Sequence, residues 1–132
     1  MTPQLDFFGL PVSDMARSVA FYRRLGLDFP EGAENEQHVE APLPGGMRYA
    51  LDTEDVIRSF DPDWKRPSNG YAGGGAFRCA TPEEVDQVYR ELLAAGGSAH
   101  KEPWDAFWGQ RYAKLRDPDG TVIDLYAPLP QS

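Results

Sequence analysis

An α+β fold of two similar βαβββ modules is what this sequence predicts, and three observations carry the prediction. Tyr22-Arg23-Arg24-Leu25 and Tyr89-Arg90-Glu91-Leu92 share a Tyr-Arg-x-Leu pattern, and each closes an amphipathic stretch that stops at glycine. Each stretch follows a short apolar run, and each is followed by three strand-like runs divided by turn residues. Setting Tyr22 on Tyr89, 67 positions away, also pairs Leu10 with Phe77 and Val12 with Cys79. The two leading strands therefore keep one register.

The first strand is read over Leu5–Val12, apolar through Phe7, Phe8, Leu10 and Val12 and ending at Ser13-Asp14, both good helix caps. From Met15 the apolar positions Met15, Val19, Tyr22 and Leu25 recur every three or four residues, which makes one helical stripe, and Gly26 supplies the stop. Strands are expected at Leu27–Glu31, Gln37–Leu43 and Met47–Leu51, the last two joined by Pro44-Gly45-Gly46. Asp61-Pro62-Asp63-Trp64, Arg66-Pro67-Ser68-Asn69-Gly70 and Gly73-Gly74-Gly75 then read as a turn-rich connector over residues 53–75. The modules so delimited are residues 1–52 and 76–132 of one domain.

Ala76–Ala80 opens the second module as a strand. Thr81-Pro82-Glu83-Glu84 starts a helix, with threonine at the cap, proline at the first helical position and glutamate three residues after the cap. Val85, Val88 and Leu92 form its apolar face, and Gly96-Gly97 ends it. Strands follow at Ser98–Glu102, Gln110–Leu115 and Thr121–Tyr126, the last two joined by Asp117-Pro118-Asp119-Gly120. A second likeness, Gly46-Met-Arg-Tyr-Ala against Gly109-Gln-Arg-Tyr-Ala, has a different offset and carries little weight.

Thirteen basic against twenty-one acidic side chains give a net charge of −8, which opposes binding to nucleic acid or an anionic membrane. Cys79 is the only cysteine, so no intramolecular disulfide can form, and mid-strand it reads as a small core residue. The first residues lack a basic region followed by an apolar run, and no apolar run is long enough to span a bilayer. The expectation is a soluble, unprocessed cytoplasmic protein.

The two βαβββ units, the opening Val12-Ser13-Asp14 with Ser18-x-x-Phe21-Tyr22, and the closing Asp117-Pro118-Asp119-Gly120-x-x-Ile123-Asp124-Leu125 together resemble the vicinal oxygen chelate superfamily. This is the glyoxalase, bleomycin-resistance and extradiol-dioxygenase group. The resemblance covers essentially the whole chain and implies modules that curl into a cup-shaped mixed sheet. It also implies a homodimer and, in the metalloenzymes, a divalent metal held by the first and last strands of each module. Counted from the motifs, those ligand positions fall on Phe7, on Gly74 and on Asp124, with the fourth among Arg48, Tyr49 and Ala50. A phenyl ring and a glycine offer a divalent ion no donor. The expectation is therefore a cleft with no cofactor. A metal on displaced ligands, His38, His100 and Asp124, is the alternative.

The candidate ligand-binding residues are Phe7, His38, Tyr49, Trp64, Trp104, Trp108, Arg111 and Asp124. His38 has Glu36 and Glu40 at alternate positions, and it is either a solvated or core-satisfied histidine or a group that contacts ligand or moves a proton. His100 is read as an exposed loop residue. Asp124 either holds a strand partner, pairs with a cationic ligand group or acts as a general base. All three tryptophans fall in predicted loops or at strand starts, where they offer flat faces for stacking or for a cation, worth roughly 0.5–2 kcal/mol per good contact. Their structural alternative is to plug the cup or a dimer interface. Tyr49 and Arg111 lie in predicted strands. Two functions follow: a metal-free protein that sequesters an aromatic or partly cationic natural product, or a lyase, isomerase or dioxygenase, metal-free or with displaced metal ligands.

Overall fold

The computed structural model describes residues 2–68, 70–71 and 73–131, so Asn69 of the expected turn lies outside the described residues. The chain divides between Lys65 and Arg66, inside the predicted connector, into two compact units.

The first unit contains β1 (Phe7–Val12), α1 (Met15–Arg24), β2 (His38–Pro42), β3 (Arg48–Thr53) and α2 (Glu54–Phe60). Its sheet has the order β1-β3-β2, with β1 parallel and β2 antiparallel to β3. Asp14 caps α1 by accepting the Arg17 N–H at 3.1 Å, and Gly26 ends the turn after it at φ +92°, where a side chain would be strained. Met15, Val19, Phe21 and Tyr22 are buried with Leu10, Val12, Val39, Ala41, Tyr49 and Leu51 of the sheet.

No strand forms at Leu27–Glu31. Pro30 has no N–H to give a ladder, and the carbonyls of Phe29 and Pro30 accept from the Arg23 guanidinium at 3.3 and 2.7 Å, which ties this backbone to α1. Leu27 and Phe29 are still buried around an exposed Asp28, and that alternation is what reads as a strand in sequence. The first unit is thus βαββ followed by α2, which lies in the stretch expected to be turns. Thr53 caps α2, Glu54-Asp55 sit in its first turn and Val56, Ile57 and Phe60 fall at helical spacing, but the helix is short, buries none of its residues and runs straight into Asp61-Pro62-Asp63, whose turn character dominates the reading.

The second unit contains β4 (Ala76–Arg78), α3 (Pro82–Ala94), β5 (Ser98–Ala106), β6 (Gln110–Arg116) and β7 (Val122–Pro128), with sheet order β4-β7-β6-β5. Again the first strand is parallel to the last, and the others are antiparallel. Thr81 accepts the Glu84 N–H at 3.1 Å while the Glu84 carboxylate reaches back to the Ala80 N–H at 2.9 Å. Both donors sit at the start of α3, where the helix itself offers no partner. Val85, Val88, Tyr89 and Leu92 are buried with Ala113, Leu115, Ile123, Leu125 and Ala127, and Cys79 is buried too. β5 runs four residues past its expected end, through Pro103, because its pairing with β6 shifts register twice and accommodates the proline. Trp104 is therefore on a strand instead of a loop, and His100, read as a loop residue, is an exposed residue within β5.

The topology also explains the second sequence likeness. Gly46-Met-Arg-Tyr-Ala leads into β3, the parallel partner of its unit's first strand, whereas Gly109-Gln-Arg-Tyr-Ala leads into β6, which pairs antiparallel with β7. The two segments occupy unlike places.

Gly74 lies where the chain before β4 passes close to the start of β7. A Cβ there would lie 2.6 Å from Ile123 Cγ2, 2.8 Å from the Val122 carbonyl oxygen and 2.9 Å from Thr121 Cγ2, while one at Gly73 would meet nothing within 4 Å. Gly74→Ala should lower stability by about 1–3 kcal/mol, read as a lower urea midpoint. Gly73→Ala should leave stability within roughly 0.5 kcal/mol or raise it slightly.

Candidate functional site

Strand alternation gives the second sheet two chemically different faces. α3 packs on β5, β6 and β7 and covers one of them. Residues paired across strands share a face, so the other face carries two rows. One is Trp104–Tyr112–Tyr126–Arg78 and the next is Lys101–Lys114–Asp124–Ala76. In the first row the Trp104 and Tyr112 rings are 5.5 Å apart, and Tyr112 and Tyr126 stack at 6.2 Å with 24° between their planes. Trp108, half exposed on the turn between β5 and β6, approaches Tyr112 to 5.5 Å and Trp104 to 6.0 Å, both edge to face. The indole N–H of Trp108 donates to Gln110 Oε1 at 2.8 Å, which fixes its ring. Phe107 beside it is almost fully exposed.

Asp124 sits next to this aromatic row with both carboxylate oxygens engaged. Tyr112 donates its hydroxyl to Oδ2 at 2.5 Å and Lys114 donates to Oδ1 at 2.8 Å. Burial, and then the bond to Asp124, pushes the Tyr112 phenol up to about 12, so at neutral pH it is a donor. Lys101 places its ammonium 4.6 Å from the Trp104 ring centroid.

The first sheet also has a face turned away from its buried side. There His38 lies between two carboxylates, Nδ1 2.5 Å from Asp52 Oδ1 and Nε2 2.8 Å from Glu40 Oε2. A neutral imidazole has only one N–H, so only the doubly protonated ring can donate to both. The bond to Glu40 first, and then that to Asp52, raises the His38 pKa, and the same contact with His38 lowers that of Glu40. Arg48 extends the chain, bonding Glu40 at 2.8 Å and also Asp6. The Arg48 guanidinium covers the Phe7 ring at 5.2 Å, so Phe7 and His38 are linked through Arg48 and Glu40.

The remaining candidates fall elsewhere. Tyr49 is buried with its ring 5.4 Å from that of Tyr22, on the α1 side of the first sheet, where it packs the core. Trp64 belongs to the first unit, and the Arg58 guanidinium stacks on it at 5.3 Å. Arg111 alternates to the α3 side of the second sheet, opposite Asp124, and clasps Asp86 of α3 with two bonds of 2.9 and 3.1 Å. Its geometry ties helix to sheet. Of the second unit's candidates, the fold brings together Trp104, Trp108 and Asp124. Sequence reading missed the groups that join them, Tyr112, Tyr126 and Lys114, and in the first unit Asp52. The signal was there in part: Tyr112 and Lys114 alternate along one strand, and Asp124 and Tyr126 along the next.

The register also narrows the fourth of the positions at which the resemblance expects metal ligands. Ala76 pairs with Asp124, and Gly9, its equivalent at the 67-residue offset, pairs with Ala50, so Ala50 is the counterpart of Asp124. The set is a phenyl ring, a glycine with no room for a Cβ, a methyl group and one carboxylate already bonded by Lys114 and Tyr112. Among the described residues no group of three or more His, Cys, Asp and Glu side chains is placed to hold a metal ion. A phenyl ring, a glycine and a methyl group bring no donor atom for a divalent ion.

Comparison with known proteins agrees with this architecture. A model of the Glyoxalase/Bleomycin resistance protein/Dioxygenase superfamily matches residues 4–125. The chain is 30% identical over 122 residues to the uncharacterized protein YraH of Bacillus subtilis, covering 91% of this chain and 94% of that one. Among solved structures, a glyoxalase-related enzyme from Fulvimarina pelagi superposes with a TM-score of 0.76 at 19% identity, over 96% of this chain and 88% of that one. A hypothetical protein of S. aureus superposes with a TM-score of 0.75 at 23% identity, over 96% and 95%.

The His38 geometry sets a pH dependence. In an NMR titration the His38 ring should titrate above its ordinary 6.5, and Glu40→Gln should lower that value further than Asp52→Asn. Because the folded pKa is raised, the stability these bonds contribute is complete below 6.5 and is lost as pH rises through the folded value. The difference in urea midpoint between wild type and His38→Gln should therefore shrink from acidic to alkaline pH. A difference that grows with pH would reverse the assignment.

Proposed function

The chain belongs to the glyoxalase/bleomycin resistance protein/dioxygenase superfamily, and we propose that within it this protein is a metal-free binder that sequesters a planar aromatic small molecule. The observation that carries the proposal is the row of rings Trp104, Tyr112 and Tyr126, flanked by Trp108, on the sheet face that α3 leaves free. Four rings held edge to face and stacked give a planar ligand both a floor and a wall, at little entropic cost because sheet pairing and ring contacts already fix them. The poor fit of the four ligand positions to a divalent ion supports binding without one.

A second reading, a lyase, isomerase or dioxygenase, has His38 on its side: a histidine oriented by two carboxylates is the kind of group that moves protons. The raised pKa favours the imidazolium, which would serve as an acid before it served as a base. Among the described residues no helix is long and apolar enough to cross a membrane. The proposal includes a cytoplasmic location and a homodimer. What supports the dimer is the edge strand β1, where Phe7 and Phe8, with Leu5 just before them, leave large apolar side chains exposed.

A planar aromatic compound should quench the tryptophan fluorescence of the purified protein, and Trp108→Ala should weaken its binding by about 1–2 kcal/mol, roughly 5- to 30-fold. Exhaustive dialysis against a chelator should leave the affinity unchanged. A stoichiometric metal whose removal abolishes binding or reveals a lost activity would overturn the metal-free reading. A library in which no planar compound quenches fluorescence or shifts the melting temperature would overturn the binding reading.

A further inference from the structure

Resting on that reading of the sheet face, we propose that the ligand is a planar aromatic anion, an arene bearing a carboxylate, and not a cation. Asp124 is the residue that suggests a cationic partner in the sequence, but in the fold it already accepts from Lys114 and Tyr112, one bond at each oxygen. A ligand ammonium would have to displace Lys114 to reach it. A ligand carboxylate faces no such competition. Lys114 has three N–H donors and gives one to Asp124, and its cross-strand neighbour is Lys101, whose ammonium lies over the Trp104 ring. Side chains so paired have Cβ atoms about 4.5–5.5 Å apart, close enough for one carboxylate to lie between two ammonium groups.

The rest of the face has the same sign. Arg78 pairs with Tyr126 at one end of the aromatic row, and Arg116, two residues beyond Lys114, shares the face and donates to the Gly120 carbonyl at 2.8 Å. Among the described residues at registered positions of this face, Arg78, Lys101, Lys114 and Arg116 stand against the single carboxylate of Asp124. The chain as a whole carries −8. At physiological salt, charges more than about 8 Å away are largely screened, so the lysines bordering the rings outweigh the net charge in setting which ligand stays. The rings select a flat molecule and the lysines select its sign.

The test is calorimetric titration of the full chain with two probes of the same ring system, naphthoate and naphthylmethylammonium. Naphthoate should bind at least about tenfold more tightly. Lys101→Met should weaken naphthoate and narrow its advantage over the ammonium probe. Lys114→Met, which frees Oδ1 of Asp124, should weaken naphthoate and strengthen the ammonium probe. An ammonium probe that binds wild type as tightly as naphthoate, with Trp108→Ala weakening both, overturns the anion assignment and leaves the aromatic site standing. Binding of neither probe overturns the anion assignment, and the aromatic-site reading is then judged separately by the wider fluorescence screen. Since the probe comparison is made on wild type, misfolding of a variant cannot rescue the proposal.

Discussion

Parallel pairing of the first strand of each unit with its last, β1 with β3 and β4 with β7, is the constraint on which the rest depends. Two parallel strands cannot be joined by a tight turn, so the chain must cross over, and in each unit it does so through a helix that follows the first strand. That helix covers one face of the sheet with its apolar stripe. Burial is then settled on that side, and the opposite face is left for side chains with polar or aromatic chemistry. Ala113, Leu115, Ile123 and Leu125 go to the helix, and Tyr112, Lys114 and Asp124 to the other side, because the strand period is two.

The same pairing sets the charge chemistry of both faces. In the first unit the register puts His38 opposite Asp52, and alternation adds Glu40, so a lone histidine becomes the centre of a carboxylate pair that favours its charged form. In the second it puts Lys114 opposite Asp124, so a carboxylate with apparent freedom to bind a ligand is held. These ion pairs are partly exposed and contribute little to stability. Their effect is on what each face can accept.

How far the sequence could be read depended on whether a feature was local. The caps of α1 and α3 were legible at Asp14 and Thr81, because a capping side chain bonds a backbone group within three residues. Both amphipathic helices were legible from the spacing of their buried residues. α2 was not, although Thr53 caps it and Val56, Ile57 and Phe60 recur at helical spacing, because so short a helix running into Asp61-Pro62-Asp63 is outweighed by the turn residues around it. Leu27–Glu31 imitated a strand because Leu27 and Phe29 alternate into the interior while the backbone bonds Arg23 instead of a neighbour. Of the candidate site, Trp104, Trp108 and Asp124 were named from sequence, but the residues that connect them were not.

By itself the sequence determined the shared strand-helix opening of the two halves and both long helices with their caps, consequences of residue type and spacing along one chain, whereas the metal-ligand positions at Phe7 and Gly74 came from the family resemblance. Only the tertiary structure decided that Ala50 is the counterpart of Asp124, that Arg111 clasps α3 from the far side of the sheet, and that Asp124 meets Lys114 and Tyr112. The physical reason is register. A shift of one residue in pairing sends every side chain of a strand to the opposite face, and the sequence of a single strand does not state which residue lies beside it on the next.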